Sequence, residues 1–139
     1  MEKVKCIWCN TVANKEDMSV IYGKNSYFNK AIFYGCKGEH ITSIKNFLEK
    51  TEKYYSHTQA TFLLTLVIYP LLVIFLKKYF HLITILITLD FGSGLFLYPF
   101  GAPAMTEKIG IKNAVFIIRI IASILIIAAS ALAYRVWFL

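Results

Sequence analysis

Three cysteines and one histidine near the start of the chain have the types and spacing of metal ligands. Cys6 and Cys9 bracket two residues in "CIWC", and Cys36 and His40 bracket three in "CKGEH". A Cys-x2-Cys turn can direct two sulfurs at one point, and Gly38 allows a tight backbone between the second pair. Thiolates and imidazole are donors that zinc prefers. The four side chains therefore predict a zinc site.

The predicted zinc site is structural rather than catalytic. Protein groups fill all four tetrahedral positions and leave none for water or a substrate. Three cysteines are an odd number, which fits a disulfide framework poorly. A segment this small has little hydrophobic core without a metal, so the ion is expected to hold the fold together. The alternative is a set of thiols without metal and a surface histidine.

The segment between the two pairs predicts a β-hairpin. The runs "MSVIYG" and "KAIFYG" are β-prone and flank "KNSYFN", which is typical of a turn. In its order of metal-binding turn, hairpin and second turn, the segment resembles a zinc ribbon over residues 6–40. This resemblance implies a fold and a metal, and it does not indicate a specific relative.

Beyond residue 58 the chain consists mainly of apolar runs. Residues 60–76, 82–100 and 114–134 have the length and composition of membrane spans. The five residues "KKYFH" allow only a tight helical hairpin between the first two, and the polar residues 101–113 predict a loop. We therefore predict a membrane α-helical protein. Its parts are a zinc-ribbon-like head (1–40), an amphipathic stalk helix (41–58) and a three-helix transmembrane domain (59–139).

The distribution of charge predicts the orientation in the cell membrane. Residues 1–58 contain nine lysines and six acids, whereas residues 59–139 contain only eight charged side chains. The lysines flanking the spans slightly favour the side of the head and of the 101–113 loop, and basic flanks face the cytosol. No apolar stretch of a signal peptide begins the sequence. We predict a cytosolic N-terminus and a C-terminus outside.

Two ionisable residues fall inside predicted spans, where charges are rare and usually functional. Asp90 lies in the second span and Arg119 in the third. Small residues lie on the same side as the charges, such as Gly94 on the second span and Ala122 on the third, and would permit close approach, which predicts a direct Asp90–Arg119 pair. The alternative is an Arg119 that extends to the headgroups and an Asp90 that is protonated or bonded to Ser93.

The sequence does not contain the paired groups that catalysis needs, and we predict a non-enzymatic protein. Its expected partners are the lipid bilayer, a cytosolic protein bound by the head, and in one alternative further copies of the chain. The candidates for the binding surface are five aromatic residues of the head, which would alternatively pack into its core: Trp8, Tyr22, Tyr27, Phe28 and Tyr34. In the alternative with further copies, an oligomeric pore or transporter uses Asp90. A third hypothesis, a membrane tether for nucleic acid, is disfavoured because the head has no arginine.

The segment "LYPFGAPAMTEKIGIKNAVFIIRII" resembles uncharacterised small bacterial membrane proteins, in which a span, a short Pro-containing loop and another span recur. This resemblance implies no function.

Overall fold

The computed structural model describes residues 2–138. Four strands precede four helices in the order of the chain. The strands are β1 (Lys3–Lys5), β2 (Val12–Asn14), β3 (Met18–Asn25) and β4 (Lys30–Cys36). The helices are α1 (Glu39–Phe75), α2 (Phe80–Leu97), α3 (Pro103–Ile109) and α4 (Ile111–Phe138). Short 3-10 turns precede β3 and α2.

The chain divides into two compact units. The first, here called the head unit, comprises the chain up to Tyr55 together with Phe100–Ile117. The second, here called the helical unit, comprises Ser56–Pro99 and the chain from Ile118 onward. Residues 101–113, expected to form a loop beside the spans, thus belong to the head unit and contain α3. The three-part division at residues 40 and 58 stays a prediction.

The predicted hairpin is present as β3 and β4, which pair in antiparallel register. Ile21 lies opposite Phe33, and the two side chains point into the core. Their neighbours Val20, Tyr22 and Ile32 are exposed, as the alternation of side chains along a strand requires. A second, smaller hairpin of β1 and β2 was not predicted from the sequence.

The core of the head unit forms where the hairpin meets the first turns of α1 and the start of α4. The two strands contribute one apolar side chain each, the turn between them two, α1 three at helical spacing, and α4 one. They are Ile21, Tyr27, Phe28, Phe33, Ile44, Phe47, Leu48 and Ile111. The predicted stalk helix is therefore partly a core element, and it continues as α1 to Phe75 without a break.

Buried polar groups in the turn of the hairpin are hydrogen-bonded to α1. Asn25 is 2% exposed, and its amide donates to the Leu48 carbonyl at 2.9 Å and to the Thr51 hydroxyl at 3.1 Å. Its carbonyl accepts from the Phe28 amide. Because unpaired buried polar groups are destabilising, these bonds fix the turn against the helix.

Tyr27 links the hairpin to the segment before α4. Its hydroxyl donates to the Gly101 carbonyl at 2.7 Å and lies 2.7 Å from the Thr106 hydroxyl. The ring is 3% exposed and packs edge-on against Phe28 and Tyr55. Burial raises the pKa of Tyr27 to about 12, although the bond with Thr106 lowers it.

Replacing Tyr27 by phenylalanine should destabilise the head unit by about 1–3 kcal/mol, because the Gly101 carbonyl loses its donor and the buried Thr106 hydroxyl keeps only its bond to the Ala102 carbonyl. Because the pKa of Tyr27 is higher in the folded than in the unfolded chain, the protonated phenol makes its full contribution to stability below pH 10. That contribution, about 3 kcal/mol at most, is lost as the pH rises from about 10 to 12 and above. The difference in unfolding free energy between wild type and Tyr27→Phe should therefore shrink over this range in urea titrations. A difference independent of pH would contradict the assignment.

Within the helical unit, α2 and α4 approach closely at Gly92. A Cβ at Gly92 would lie 2.9 Å from Cγ1 of Ile126 and 3.4 Å from the Ala122 carbonyl oxygen. Ala122 is fully buried. Small residues at such a contact let two helix backbones pack together.

Three helical segments are long and apolar enough to cross a membrane, which fits a membrane protein. They are Glu39–Phe75, Lys77–Leu97 and Ile111–Trp137. The apolar side chains of α1 beyond residue 60 are largely exposed in the described chain, as a lipid-facing helix requires. Pro70 lies inside α1.

Candidate metal centre

Two backbone turns bring the predicted ligands together. The β1–β2 hairpin carries Cys6 at its first corner and Cys9 in its turn, closed by a bond from the Cys6 amide to the Thr11 carbonyl at 2.9 Å. Asn10 follows with φ 70°, a conformation that asparagine tolerates. We call residues 6–10 the knuckle.

The other two ligands lie at the junction of β4 and α1. Cys36 is the last residue of β4, and His40 is in the first turn of α1. Gly38 between them has φ 90°, a conformation that side chains rarely adopt, which explains why glycine stands there. A bond from the Ile7 amide to the Tyr34 carbonyl at 2.9 Å holds the knuckle against β4.

The ligand atoms of Cys6, Cys9, Cys36 and His40 all lie within 4.8 Å of one another, and the group can hold a metal ion. Sγ of Cys9 lies 3.6 Å from Sγ of Cys36, and all three cysteines are free thiols. Sulfurs at the ~2.3 Å bond length of a tetrahedral zinc site lie about 3.8 Å apart, so this distance suits such a site.

The histidine supplies an independent observation. Nδ1 of His40 is buried and has no hydrogen-bond partner among the described residues. A buried nitrogen without a partner is destabilising, and a metal ion at the centre of the cluster would satisfy it. The residues present therefore fit a metal with a preference for sulfur and nitrogen ligands.

The thiols differ in how readily they lose a proton. Burial raises the pKa of Cys9, but hydrogen bonds with Thr11 and the neighbouring thiols bring it down to about 7. Burial and the adjacent sulfurs of Cys6 and Cys9 raise the pKa of Cys36 to about 12. Three thiolates this close repel one another, and a divalent cation is the charge that would let all three ionise together.

A backbone contact joins the knuckle to the start of α4. The amides of Ile111 and Lys112 donate to the carbonyls of Ile7 and Trp8 at 2.8 and 3.1 Å. The first amides of a helix have no partner within the helix, so the knuckle caps α4. Gly110, with φ 87°, leads into this contact, and a Cβ there would lie 2.8 Å from the Trp8 carbonyl oxygen.

Sequence reasoning missed this contact, although one local signal was present. The glycine in "KIGIKN" stands shortly before the apolar run that begins at residue 114, a position that can mark a backbone conformation closed to other residues. Thr11, whose hydroxyl lies 3.2 Å from Sγ of Cys9, was also missed. Nothing in its spacing distinguishes it from an ordinary strand residue.

The two charged residues of the predicted spans lie on α2 and α4. Within residues 2–138, the ion pairs shorter than 4.0 Å are Lys15–Glu2 and Lys30–Glu107. Asp90 is exposed, and the Arg119 guanidinium carbon lies 6.0 Å from the centroid of the Phe96 ring. The structure therefore does not place the two at ion-pair distance, and their pairing in a bilayer stays a prediction.

Five aromatic residues of the head were candidates for a binding surface. Tyr27 and Phe28 are buried in the core instead, because their turn folds onto α1. Trp8 and Tyr34 are half-buried, and Tyr22 is 77% exposed.

The chain matches no protein-family model, and no similar curated protein or solved structure is found.

Proposed function

We propose that the four-ligand cluster holds one structural zinc ion, and that the chain is a non-enzymatic membrane protein whose zinc-stabilised head unit binds a cytosolic protein. The observation that carries the proposal is the convergence of three thiols and a ring nitrogen of His40 within 4.8 Å, together with a buried Nδ1 of His40 that has no hydrogen-bond partner among the described residues. Zinc is preferred because sulfur and imidazole ligands in a tetrahedral set suit it best among common ions.

The chemistry of the ligands supports a structural role. Four protein donors complete a tetrahedron, which leaves no coordination position for a reacting molecule. Because Cys6 is fully buried, the ion would lie between the elements that it joins and not at a surface that a substrate can reach. The elements joined are the knuckle, the end of β4 and the start of α1.

The exposed face of the hairpin supports a binding role. Val20, Tyr22 and Ile32 are 38%, 77% and 49% exposed on the side of the sheet opposite the core. Exposed apolar side chains on a rigid element are a common feature of protein interaction sites.

The head unit is built from two segments of the chain, which supports a location of both segments on the same side of a bilayer. Because residues up to Tyr55 pack with Phe100–Ile117, the apolar stretch between them has to leave and return to the same side of a bilayer. The basic residues near the spans favour the cytosol for that side, and so does the proposed use of the thiols as metal ligands.

The test is the metal content of the detergent-purified chain. We expect about one zinc per chain for wild type and nearly none for Cys36→Ser, measured by elemental mass spectrometry, because three ligands bind zinc far more weakly than four. His57→Ala changes an exposed histidine outside the cluster and serves as the matched control, which should retain zinc. Wild-type protein that folds without zinc, or Cys36→Ser that retains it, would contradict the proposal.

A further inference from the structure

One edge of strand β3 faces outward without a neighbouring strand. In an antiparallel pair, the N–H and C=O of a residue point to the same side, and the side alternates along the strand. The Tyr34 carbonyl of β4 accepts from Ile7, so it points away from β3. Its register partner Val20 must therefore point away from β4, and so must Tyr22. Within residues 2–138, the sheet has no further strand on that side.

A groove of 510 Å³ lies beside this edge. It is lined by residues 21–25 of β3 and by side chains of α1 between positions 45 and 53. The position of a Cβ on Gly23 has no other heavy atom within 4 Å, so no side chain fills the groove at this point of the strand. A groove between a strand edge and a helix has room for one extended chain, which can pair with the strand through its backbone.

The charges around the groove favour an acidic occupant. Three exposed lysines line it: Lys24, Lys45 and Lys53. Of its two acids, Glu52 already accepts hydrogen bonds from the amide and hydroxyl of Ser26 at 2.7 and 2.8 Å. Those bonds hold the Glu52 carboxylate in place but leave its charge, so three lysines face two acids and the groove presents a small net positive charge to a ligand.

We propose that the head unit binds an extended acidic segment of a partner protein as an added strand on the outer edge of β3. The segment's backbone pairs with Val20 and Tyr22, and its carboxylates lie near the lysines of the groove. The inference rests on the proposed function, since it specifies where and how the partner binds. Acidic side chains give the selectivity, because backbone pairing accepts any sequence.

The experiment measures binding of a fluorescent eight-residue peptide to the full chain in detergent by polarisation. Valine alternates in the peptide with aspartate or glutamate, which matches the length of β3. Tyr22→Pro removes the outward amide while leaving the bonds to β4 intact. Tyr22→Thr retains the amide and is the matched control. The zinc content of each sample reports whether the head unit is folded.

We expect wild type and Tyr22→Thr to bind with a dissociation constant below about 1 mM, and Tyr22→Pro to bind about tenfold more weakly or worse. On wild type, N-methylation of the central peptide amides, or lysine in place of the acids, should also abolish binding. These peptide controls remain decisive if Tyr22→Pro fails to fold.

Other outcomes overturn the inference. No binding by zinc-loaded wild type, or equal binding of the N-methylated peptide, removes it while leaving the zinc proposal intact. If wild type is a dimer that binds no peptide, and Tyr22→Pro converts it to a monomer, the edge of β3 pairs with a second copy of the chain instead. Peptide binding by a chain without zinc would instead contradict the proposed function alone.

Discussion

Removal of the proposed zinc ion by a chelator should unfold the head unit and leave the helical unit helical. Structural zinc contributes about 10–16 kcal/mol in small zinc domains, which is comparable to or larger than the whole stability of an ordinary domain, about 5–15 kcal/mol. The core of the head unit has eight buried members and cannot replace that contribution. The parts of the helices that belong to the helical unit, residues 56–99 and the chain from Ile118, contain no ligand of the cluster, so their far-ultraviolet dichroism should remain.

Trp8 provides the measurement for chelation. It lies in the knuckle and packs against the core, whereas Trp137 is 72% exposed. In a Trp137→Phe background the emission reports the knuckle alone. It should shift to longer wavelength on chelation and recover when zinc, but not magnesium, is added back. Emission that stays constant while the zinc content falls to zero would show that the ion does not hold this fold.

Gly110→Ala should destabilise the head unit by about 3 kcal/mol or more and weaken zinc binding with it. Gly110 has φ 87° and ψ 151°, a region that is nearly exclusive to glycine. An added Cβ would also lie 2.8 Å from the carbonyl oxygen of Trp8 and 3.2 Å from the amide nitrogen of Asn10. These are backbone atoms of the knuckle, so relief of the clash has to move the residues that flank Cys9.

Gly23→Ala is the matched control for Gly110→Ala. Gly23 belongs to the same unit, has no positive φ and has no heavy atom within 4 Å of the added methyl. Its replacement should change the unfolding free energy by about 1 kcal/mol or less. Urea titration and competition with a zinc chelator report the two effects. Equal behaviour of the two variants would show that the contact of α4 with the knuckle does not support the metal site.

Local signals account for what the sequence predicted correctly at the level of single elements. The ligand pairs are short-range turns, and a Cys-x2-Cys spacing limits how far apart the sulfurs can lie. The β3–β4 hairpin follows from two β-prone runs around a turn. The apolar helices follow from run length, because few other structures accommodate so many consecutive apolar residues.

Contacts between distant parts of the chain account for what the sequence did not show. Residues 101–113 look like a polar linker because their partners, Tyr27 and the knuckle, lie at the other end of the chain. Tyr27 and Phe28 look like turn residues available to a partner, and only their packing on α1 buries them. On α2, Gly92 rather than Gly94 faces α4. The periodicity of the sequence identifies a helix face that carries small residues, but it does not show which of them lies at the contact.

The bonds from α4 to the knuckle also determine the order in which parts of the head unit can fold while the chain is being synthesised. Ile7 and Ile111 are partners, yet about a hundred residues separate them along the chain. The four metal ligands are complete once His40 has been made, whereas the core waits for Ile111. A nascent chain can therefore bind its ion early, but it closes the head unit only after the first two apolar helices exist. Metal capture would precede, and prepare, the last step of folding.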